Sequence, residues 1–536
     1  MGSPTAVALA MIWQSVLGVP VASAEDSFFE LGGHSLLATT LLARIGRRFG
    51  VELSIRDLFT HPGFGELAGV IDRASADAPP PAPADAAPAR PEPGGVFPAS
   101  GFQESIWLAQ RLDPVHSTYH VPLSWEVDGE LDPASLRDAL AAVIGRHEIL
   151  RTRFLDRDGR LCQEVMPAWA PEIERVDLTG LAGPEREERI GAWTDEAAAA
   201  LVPADGRLLR AALFAVGPRR HVLSLCVHHL VLDGESVPVL VRELERCYAP
   251  AGPDAASPPP GNQYRDLVAA ENGETGSADD VAYWCRQLKG APSSLGLNAP
   301  EPKEPLGNLG LALDPGVARE LLPVQRAEKV SAFMIQATAV AAALHRWTGL
   351  TDLTFGIPVA HRGPSALRDV IGPCLNTLVL RSRCTPDMTL ADLLRVLREE
   401  TIDAFEHRAA SFEDVVRGLA PRRSPGHTPY ADVLLNSVSL TNWSGWLGDA
   451  RISPVDFVAR RTEASKFPVT ITFAERDAAL RGSLAYRGDR VGAEAAGRLA
   501  DGLSAILNHF PALLPESVFG LRAEGPGPAG RNGANS

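Results

Sequence analysis

Two short stretches of this 536-residue chain hold residue types and spacings that could do chemistry. The first is Gly32-Gly33-His34-Ser35, which directly precedes the segment Leu36–Phe49. Leu37, Leu41, Ile45 and Phe49 recur there at helical spacing, so Ser35 stands at a helix start. Its hydroxyl either caps the helix or is an exposed attachment point, because that end of a helix favours a phosphate. The second stretch is His228-His229-Leu-Val-Leu-Asp233-Gly234. It follows the apolar run Val222–Val227, which reads as a buried strand. Neighbours on an extended segment point to opposite sides, so one imidazole packs inward while the other faces a cavity. An imidazole supported by a carboxylate suits general-base chemistry; two core histidines and a capping Asp are the structural alternative. Gly234 would permit a tight backbone after Asp233. Two histidines and one Asp fall short of the three or four ligands a metal needs, so no metal is expected.

The surrounding sequence must position these groups. Residues 1–73 read as four short helices: Ala6, Leu9, Ile12, Trp13, Val16 and Leu17 mark the first, and Ile55–Phe59 a later short one, with another beginning near Pro62. Residues 74–96 are rich in Ala and Pro and almost without large apolar side chains, as in a semi-rigid extended tether. Beyond it helices alternate with strands. Leu136, Leu140, Val143 and Ile144 define a helix, Leu150–Leu155 a strand, and Ser236–Tyr248 a helix that Ser236 could cap. A Pro/Gly-rich break at Ala249–Gly261 divides an N-terminal lobe, 97–262, from a C-terminal lobe, 263–520. Helices Ser331–Trp347 and Leu390–His407 and strands Leu353–Val359, Leu375–Arg381 and Val469–Phe473 fill the second lobe, and 521–536 reads as a disordered tail.

The net charge of −15, from 51 basic and 66 acidic residues, argues against a general nucleic-acid binder. The six cysteines form no C-x-x-C pair and no disulfide framework, as expected of thiols in a reducing cytosol. No apolar run is long enough to span a bilayer; Ser331–Trp347 comes closest but is broken by Gln336, His345 and Arg346. The apolar start lacks basic residues before Arg44, which makes it a poor signal peptide. These features describe a soluble cytoplasmic protein with no membrane partner.

The wider strings carry a resemblance. Asp26-Ser-Phe-Phe-Glu-Leu-Gly-Gly-His-Ser35-Leu resembles the attachment motif of peptidyl carrier proteins in nonribosomal peptide synthetases. The resemblance implies that a phosphopantetheinyl transferase modifies Ser35 with 4′-phosphopantetheine, whose thiol carries an acyl group. His34 stands where carriers that precede an epimerisation domain often have Asp, and fits a carrier that feeds a condensation domain. His-His-x-x-x-Asp-Gly resembles the active-site motif of condensation domains. Supporting segments follow in the family's order: Pro98–Pro114, Arg146–Phe154 (RHEILRTRF), Tyr264-Arg-Asp, and Ile371-Gly-Pro-Cys-Leu-Asn376-Thr377.

That resemblance implies a small all-α four-helix carrier followed by an α/β condensation domain. The latter would comprise two chloramphenicol-acetyltransferase-like lobes in a V, with a tunnel between them. His229 would face the tunnel's centre and His228 would pack beside it. Asp233 and Gly234 would shape the loop, Arg362 would pair with Asp233, and Arg146 and Arg151 would be structural. The implied reaction joins a donor acyl or peptidyl thioester on Ser35 to the amine of an aminoacyl thioester on a downstream acceptor carrier. That carrier would be served by its own adenylation domain, and upstream synthetase modules would supply the donor. The chain reads as a piece of a larger synthetase. Epimerisation shares the paired-His motif, but His34 and the complete RHEILRTRF stand against it. A non-catalytic docking platform usually loses the second His or the Gly, and both are present. Two positions depart from the family pattern: Glu235 replaces the usual Trp after Asp-Gly, and a late Lys-Phe-Asp-Leu-like segment reads Lys466-Phe467-Pro468-Val469.

Overall fold

Ala6, Leu9, Trp13 and Val16 form one buried stripe along α1 (Pro4–Leu17), as their spacing requires. The computed structural model describes residues 3–17, 19–29, 31, 33, 35–77, 95–112, 119–248, 260–273, 278–297, 306–360, 369–421, 428–455, 467–476 and 479–521. Within them α1 packs with α2 (Ser35–Phe49) and α4 (Phe64–Asp77), and α3 (Ile55–Thr60) packs against α2 and α4. Trp13 meets Phe28 and Phe64 edge-on, with ring centroids 5.7 and 5.3 Å away. Ser54 and Asp57 close a reciprocal cap on α3, each side chain accepting from the other's backbone N–H. Ala74–Asp77 continue α4 instead of opening the tether, since alanine favours helix until the prolines begin. Most of the expected tether, 78–94, lies outside the described residues.

The first lobe contains β1 (Val96–Pro98), α5 (Gly101–Leu112), β2 (His120–Asp128), α6 (Pro133–Arg146), β3 (Thr152–Arg157), β4 (Arg160–Val165), β5 (Ile173–Asp177), α7 (Gly183–Ala199), β6 (Leu209–Gly217), β7 (Arg220–His228) and α8 (Val237–Tyr248). The expected strand at Leu150 starts two residues later. Ile149 and Leu150 are consecutive yet both buried, which a 3-10 turn over Glu148–Arg151 allows and an alternating strand does not.

The second lobe runs through α9 (Tyr264–Gly273), α10 (Ala278–Gln287), β8 (Leu306–Gly310), α11 (Val317–Glu328), α12 (Ala332–Thr348), β9 (Asp352–Ala360), β10 (Leu375–Arg383), α13 (Leu390–Glu406), α14 (Phe412–Leu419) and β11 (Val433–Ser439). It continues with β12 (Gly445–Leu447), β13 (Ala450–Pro454), β14 (Val469–Arg476), β15 (Ala479–Arg487), α15 (Ala493–Asn508) and α16 (Phe510–Leu513).

Two six-stranded sheets organise the lobes, in the orders β12-β13-β2-β7-β6-β5 and β10-β9-β11-β14-β15-β8. The first contains β12 and β13, which come from the second half of the chain. β13 pairs antiparallel with β2, Ile452 opposite Val127, so the second half reaches across and completes the first lobe's sheet. A division of the lobes at one point in the sequence does not anticipate this crossing. Leu521, expected to begin the tail, is buried in the core, and 522–536 lie outside the described residues. Among the described residues no single helix is long and apolar enough to cross a membrane. The pair α11–α12 passes that test only jointly, across a 99° bend, and Met334–His345 of α12 are all buried inside the protein.

Candidate active site

β7 ends at His228, and the paired histidines sit where this strand leaves the sheet. The alternation expected of them is observed: His228 is fully buried and His229 is half-buried. The His229 N–H donates to Tyr119 O at 2.6 Å, which anchors the loop to the start of β2. Its ring Nδ1 lies 2.8 Å from Leu232 O. A carbonyl only accepts, so Nδ1 carries the proton and Nε2 is the basic nitrogen. Phe102 of α5 presents its ring at 71° to the imidazole, centroids 5.5 Å apart.

His228 has a different environment. The Leu230 N–H donates to its Nδ1 at 3.1 Å, so the ring proton is on Nε2. The Gln110 carboxamide lies 2.9 Å from that Nε2 and must turn its oxygen toward it. His120, opposite in the β2–β7 register, places its ring edge-on with centroids 5.1 Å apart. Burial, and then the neighbouring His120 and His229, push the His228 pKa well below the ordinary histidine value. His228 therefore stays neutral at physiological pH and packs the strand end.

Asp233 is fully buried and knits the loop to the second lobe. One carboxylate oxygen accepts from the Ser236 N–H at 2.8 Å and from its hydroxyl at 2.6 Å. The other accepts from the Cys374 N–H at 2.9 Å. Asp233 is thus the N-cap of a 3-10 turn over Gly234–Ser236, which leads directly into α8. Arg362, the expected ion-pair partner of Asp233, lies outside the described residues, as do His34 and Lys466. Gly234 has no left-handed backbone angle, and a Cβ there would meet open space, so the backbone freedom that glycine permits is not used at this turn. The turn is made by the Asp233 cap. Glu235 is half-buried on the same turn.

Residues from three distant segments brace this loop and its surroundings. Gln103, fully buried, donates from Nε2 to Leu230 O at 2.8 Å and accepts from Ser100 N–H at 3.0 Å. Tyr264 donates its hydroxyl proton to Pro373 O at 2.7 Å and accepts from the Ser100 hydroxyl at 2.9 Å. Gly372 has φ +150°, and a Cβ there would fall 2.1 Å from Tyr264 Cδ2, so glycine is required at that position. Asn376 extends the same edge by donating to Arg408 O and Ala410 O at 3.1 and 2.7 Å.

Arg146 stands one layer back. Its Nε lies 2.8 Å from Glu243 on α8, and His147 Nε2 lies 3.1 Å from the same oxygen. Burial would raise the Glu243 pKa, but His147 and Arg146 outweigh it and hold the carboxyl at about 2. The helix that follows the histidine loop is thus tied to the end of α6. Arg151 donates to Met166 O at 2.5 Å, another backbone brace. Sequence reasoning missed Gln103, Gln110, Phe102 and Tyr119. The first three lie in the Pro98–Pro114 segment, whose resemblance as a whole string gave its individual side chains no roles.

Ser35 is the first residue of α2, whose first turn holds no acidic side chain. Gly33 N–H donates to Phe28 O at 2.8 Å, and an added Cβ would lie 2.3 Å from that oxygen, so only glycine closes this turn. A helix N-terminus whose first turn carries no acidic side chain fits a phosphate ester.

Comparison with known proteins agrees with this geometry. Residues 94–514 match the family model "Condensation domain" and residues 7–71 match "Phosphopantetheine attachment site". The chain belongs to the condensation-domain family and carries a phosphopantetheine carrier domain ahead of it. It is 33% identical over 530 residues to a dimodular nonribosomal peptide synthase of Bacillus subtilis (strain 168), a match that covers 94% of this chain and 22% of that protein. It is also 33% identical over 486 residues to the cyclosporin synthetase simA of Tolypocladium inflatum, covering 89% of this chain and 3% of that one. The chain thus spans less than a quarter of the length of these relatives. Among solved structures, the first condensation domain of the calcium-dependent antibiotic synthetase with a substrate analogue is similar at TM-score 0.66 and 25% identity, over 79% of this chain and 98% of that one.

Four helices followed by two mixed-sheet lobes of the acetyltransferase-like kind are therefore the carrier–condensation order of a nonribosomal peptide synthetase. The condensation domain is of the peptide-bond-forming class, and the carrier's cofactor is covalent 4′-phosphopantetheine.

Proposed function

We propose that this unit moves a donor acyl or peptidyl group from its own carrier, through Ser35, onto the amine of an aminoacyl thioester held by a downstream carrier. The observation that carries the reading is the state of His229. Its Nδ1–H is engaged with Leu232 O at 2.8 Å, so the lone pair is on Nε2 of a half-buried ring at the end of β7. As the amine attacks the thioester carbonyl, the C–N bond forms and the C–S bond breaks; His229 takes the amine's proton at Nε2, or holds that amine by the same nitrogen, and the proton leaves on the departing thiol. General-base help contributes about 10²–10⁴-fold, and alignment of two reactants can contribute as much. The covalent arm supplies a thiol on which the acyl group is activated as a thioester.

The other residues act through His229. Leu232 O fixes its tautomer, Tyr119 O fixes its backbone, and Phe102 shields one side of the ring. Asp233, together with Ser236 and Cys374, fastens the loop to the second lobe, so the imidazole keeps its orientation at the end of β7. His228 supports the strand end as a neutral packing residue.

The partners in this reading are a phosphopantetheinyl transferase, upstream modules that load the donor, and a downstream carrier with its adenylation domain. A cytoplasmic location fits the few cysteines, whose spacing includes no C-x-x-C pair and no disulfide framework. The test is to load Ser35 with a defined acyl-pantetheine, add aminoacyl carriers, and follow the acyl mass by intact-protein mass spectrometry. Transfer to the aminoacyl carrier, abolished in His229→Ala, is expected. Transfer at the wild-type rate in His229→Ala would reject the role of this residue.

A further inference from the structure

The seam between the carrier and the second lobe is built around one cation. Arg56, in the first turn of α3, reaches Glu399 at 2.7 Å and Asp403 at 2.6 Å, and its Nε lies 3.6 Å from Glu406. The three acidic positions are four and then three residues apart, so they line one face of α13. Lys329, at the corner between α11 and α12, adds a hydrogen bond from Nζ to Thr60 O at 3.2 Å. Beside these contacts the seam leaves a cavity of about 280 Å³, with Glu25, Phe29, Pro62 and Glu66 on the carrier side and Lys329 and Val330 on the lobe side. The seam thus sets a charged contact beside apolar ones, and it is incompletely filled.

We propose that the acidic face of α13 is a dedicated, salt-sensitive seat for the carrier's α3, and that Arg56 is the residue by which the seat recognises its carrier. The chemistry suits a domain that must arrive and leave. The paired side chains keep 30–48% of their surface exposed, so each contact is weak and exchangeable. Three carboxylates around one guanidinium make the site selective, because a neutral residue loses all three attractions and an acidic one turns them into repulsions. Screening is short-ranged, with a Debye length of about 10 Å at 0.1 M salt and about 3 Å at 1 M, so docking must weaken over that range. The inference does not depend on the role given to His229.

Zero-length carbodiimide cross-linking of the intact chain tests it, since Lys329 shares the cavity with Glu25 and Glu66. The yield of Lys329 cross-links to these carboxylates, read by peptide mass spectrometry, is expected to fall at least fivefold from 50 mM to 1 M NaCl. Arg56→Glu should lower it at least as much at 50 mM, while Ser35 still gains its pantetheinyl mass, which shows that the carrier is folded. Adding Glu399→Arg and Asp403→Arg to Arg56→Glu should restore at least half of the wild-type yield. Arg56→Glu cross-linking like wild type, or no recovery in the charge-exchanged protein, would overturn the proposal.

Discussion

Replacing Asp233 by alanine tests whether the histidine loop is held from the second lobe. The carboxylate is fully buried and accepts three hydrogen bonds, from Ser236 N–H, the Ser236 hydroxyl and Cys374 N–H. Hydrogen bonds to a charged group contribute about 1.5–3 kcal/mol each, and donors left buried cost about 1–3 kcal/mol each. Part of that loss is offset because a buried charge disappears, so a net destabilisation of about 3–5 kcal/mol is expected. Unfolding entropy of about 2.1 cal/mol/K per residue over a domain of roughly 400 residues gives about 0.85 kcal/mol per degree. The transition should therefore move down by about 4–6 °C in differential scanning calorimetry. Asp233→Asn keeps the shape and the oxygen facing Ser236 but turns an NH₂ toward the Cys374 N–H, so it should fall between wild type and alanine. The transfer rate should drop in the same order, because the loop that aims His229 loosens. An alanine variant that melts with wild type would refute the account of Asp233 as the fastening between lobe and loop.

Four further outcomes follow. Ser35→Ala should abolish the pantetheinyl mass increase on incubation with a transferase, and an unchanged increase would move the attachment site elsewhere. His229→Ala should cut product formation at least tenfold with the calorimetric transition within about 2 °C of wild type; intact rates would leave the ring a packing role only. Gln110→Leu should cost about 1–2 kcal/mol, since His228 Nε2 loses its hydrogen-bond partner in a buried site, and no change in melting would refute that hydrogen bond. Stability should fall as pH drops. Burial holds His228, His221 and His345 below the ordinary histidine value, so below about pH 6.5 the unfolded chain binds more protons than the folded one. His228 alone should account for about 1 kcal/mol between pH 6.5 and 5.5, and a His228→Asn variant with an undiminished slope in chemical denaturation would contradict this.

The legible parts of the chain are those whose physics is local. Helical spacing locates α2 to within a residue, and Ser331 caps α12 at the start of the longest apolar run. Alternation alone separates His228 from His229, because two neighbours on a strand cannot share an environment. What stays hidden depends on residues far apart in sequence. The described partners of Asp233 include the amide of Cys374, which only the meeting of the lobes brings near. Backbone amides carry no sequence signature, so composition does not point to them. The same holds for β12 and β13, whose placement beside β2 depends on a crossing between lobes that no local pattern encodes. Arg56 is the sharpest case. On a short surface helix it looks like a solvated charge, and it gains meaning only because α13 spaces three carboxylates along one face to receive it. Local periodicity therefore places the groups that act, while the contacts that aim them come from the tertiary assembly.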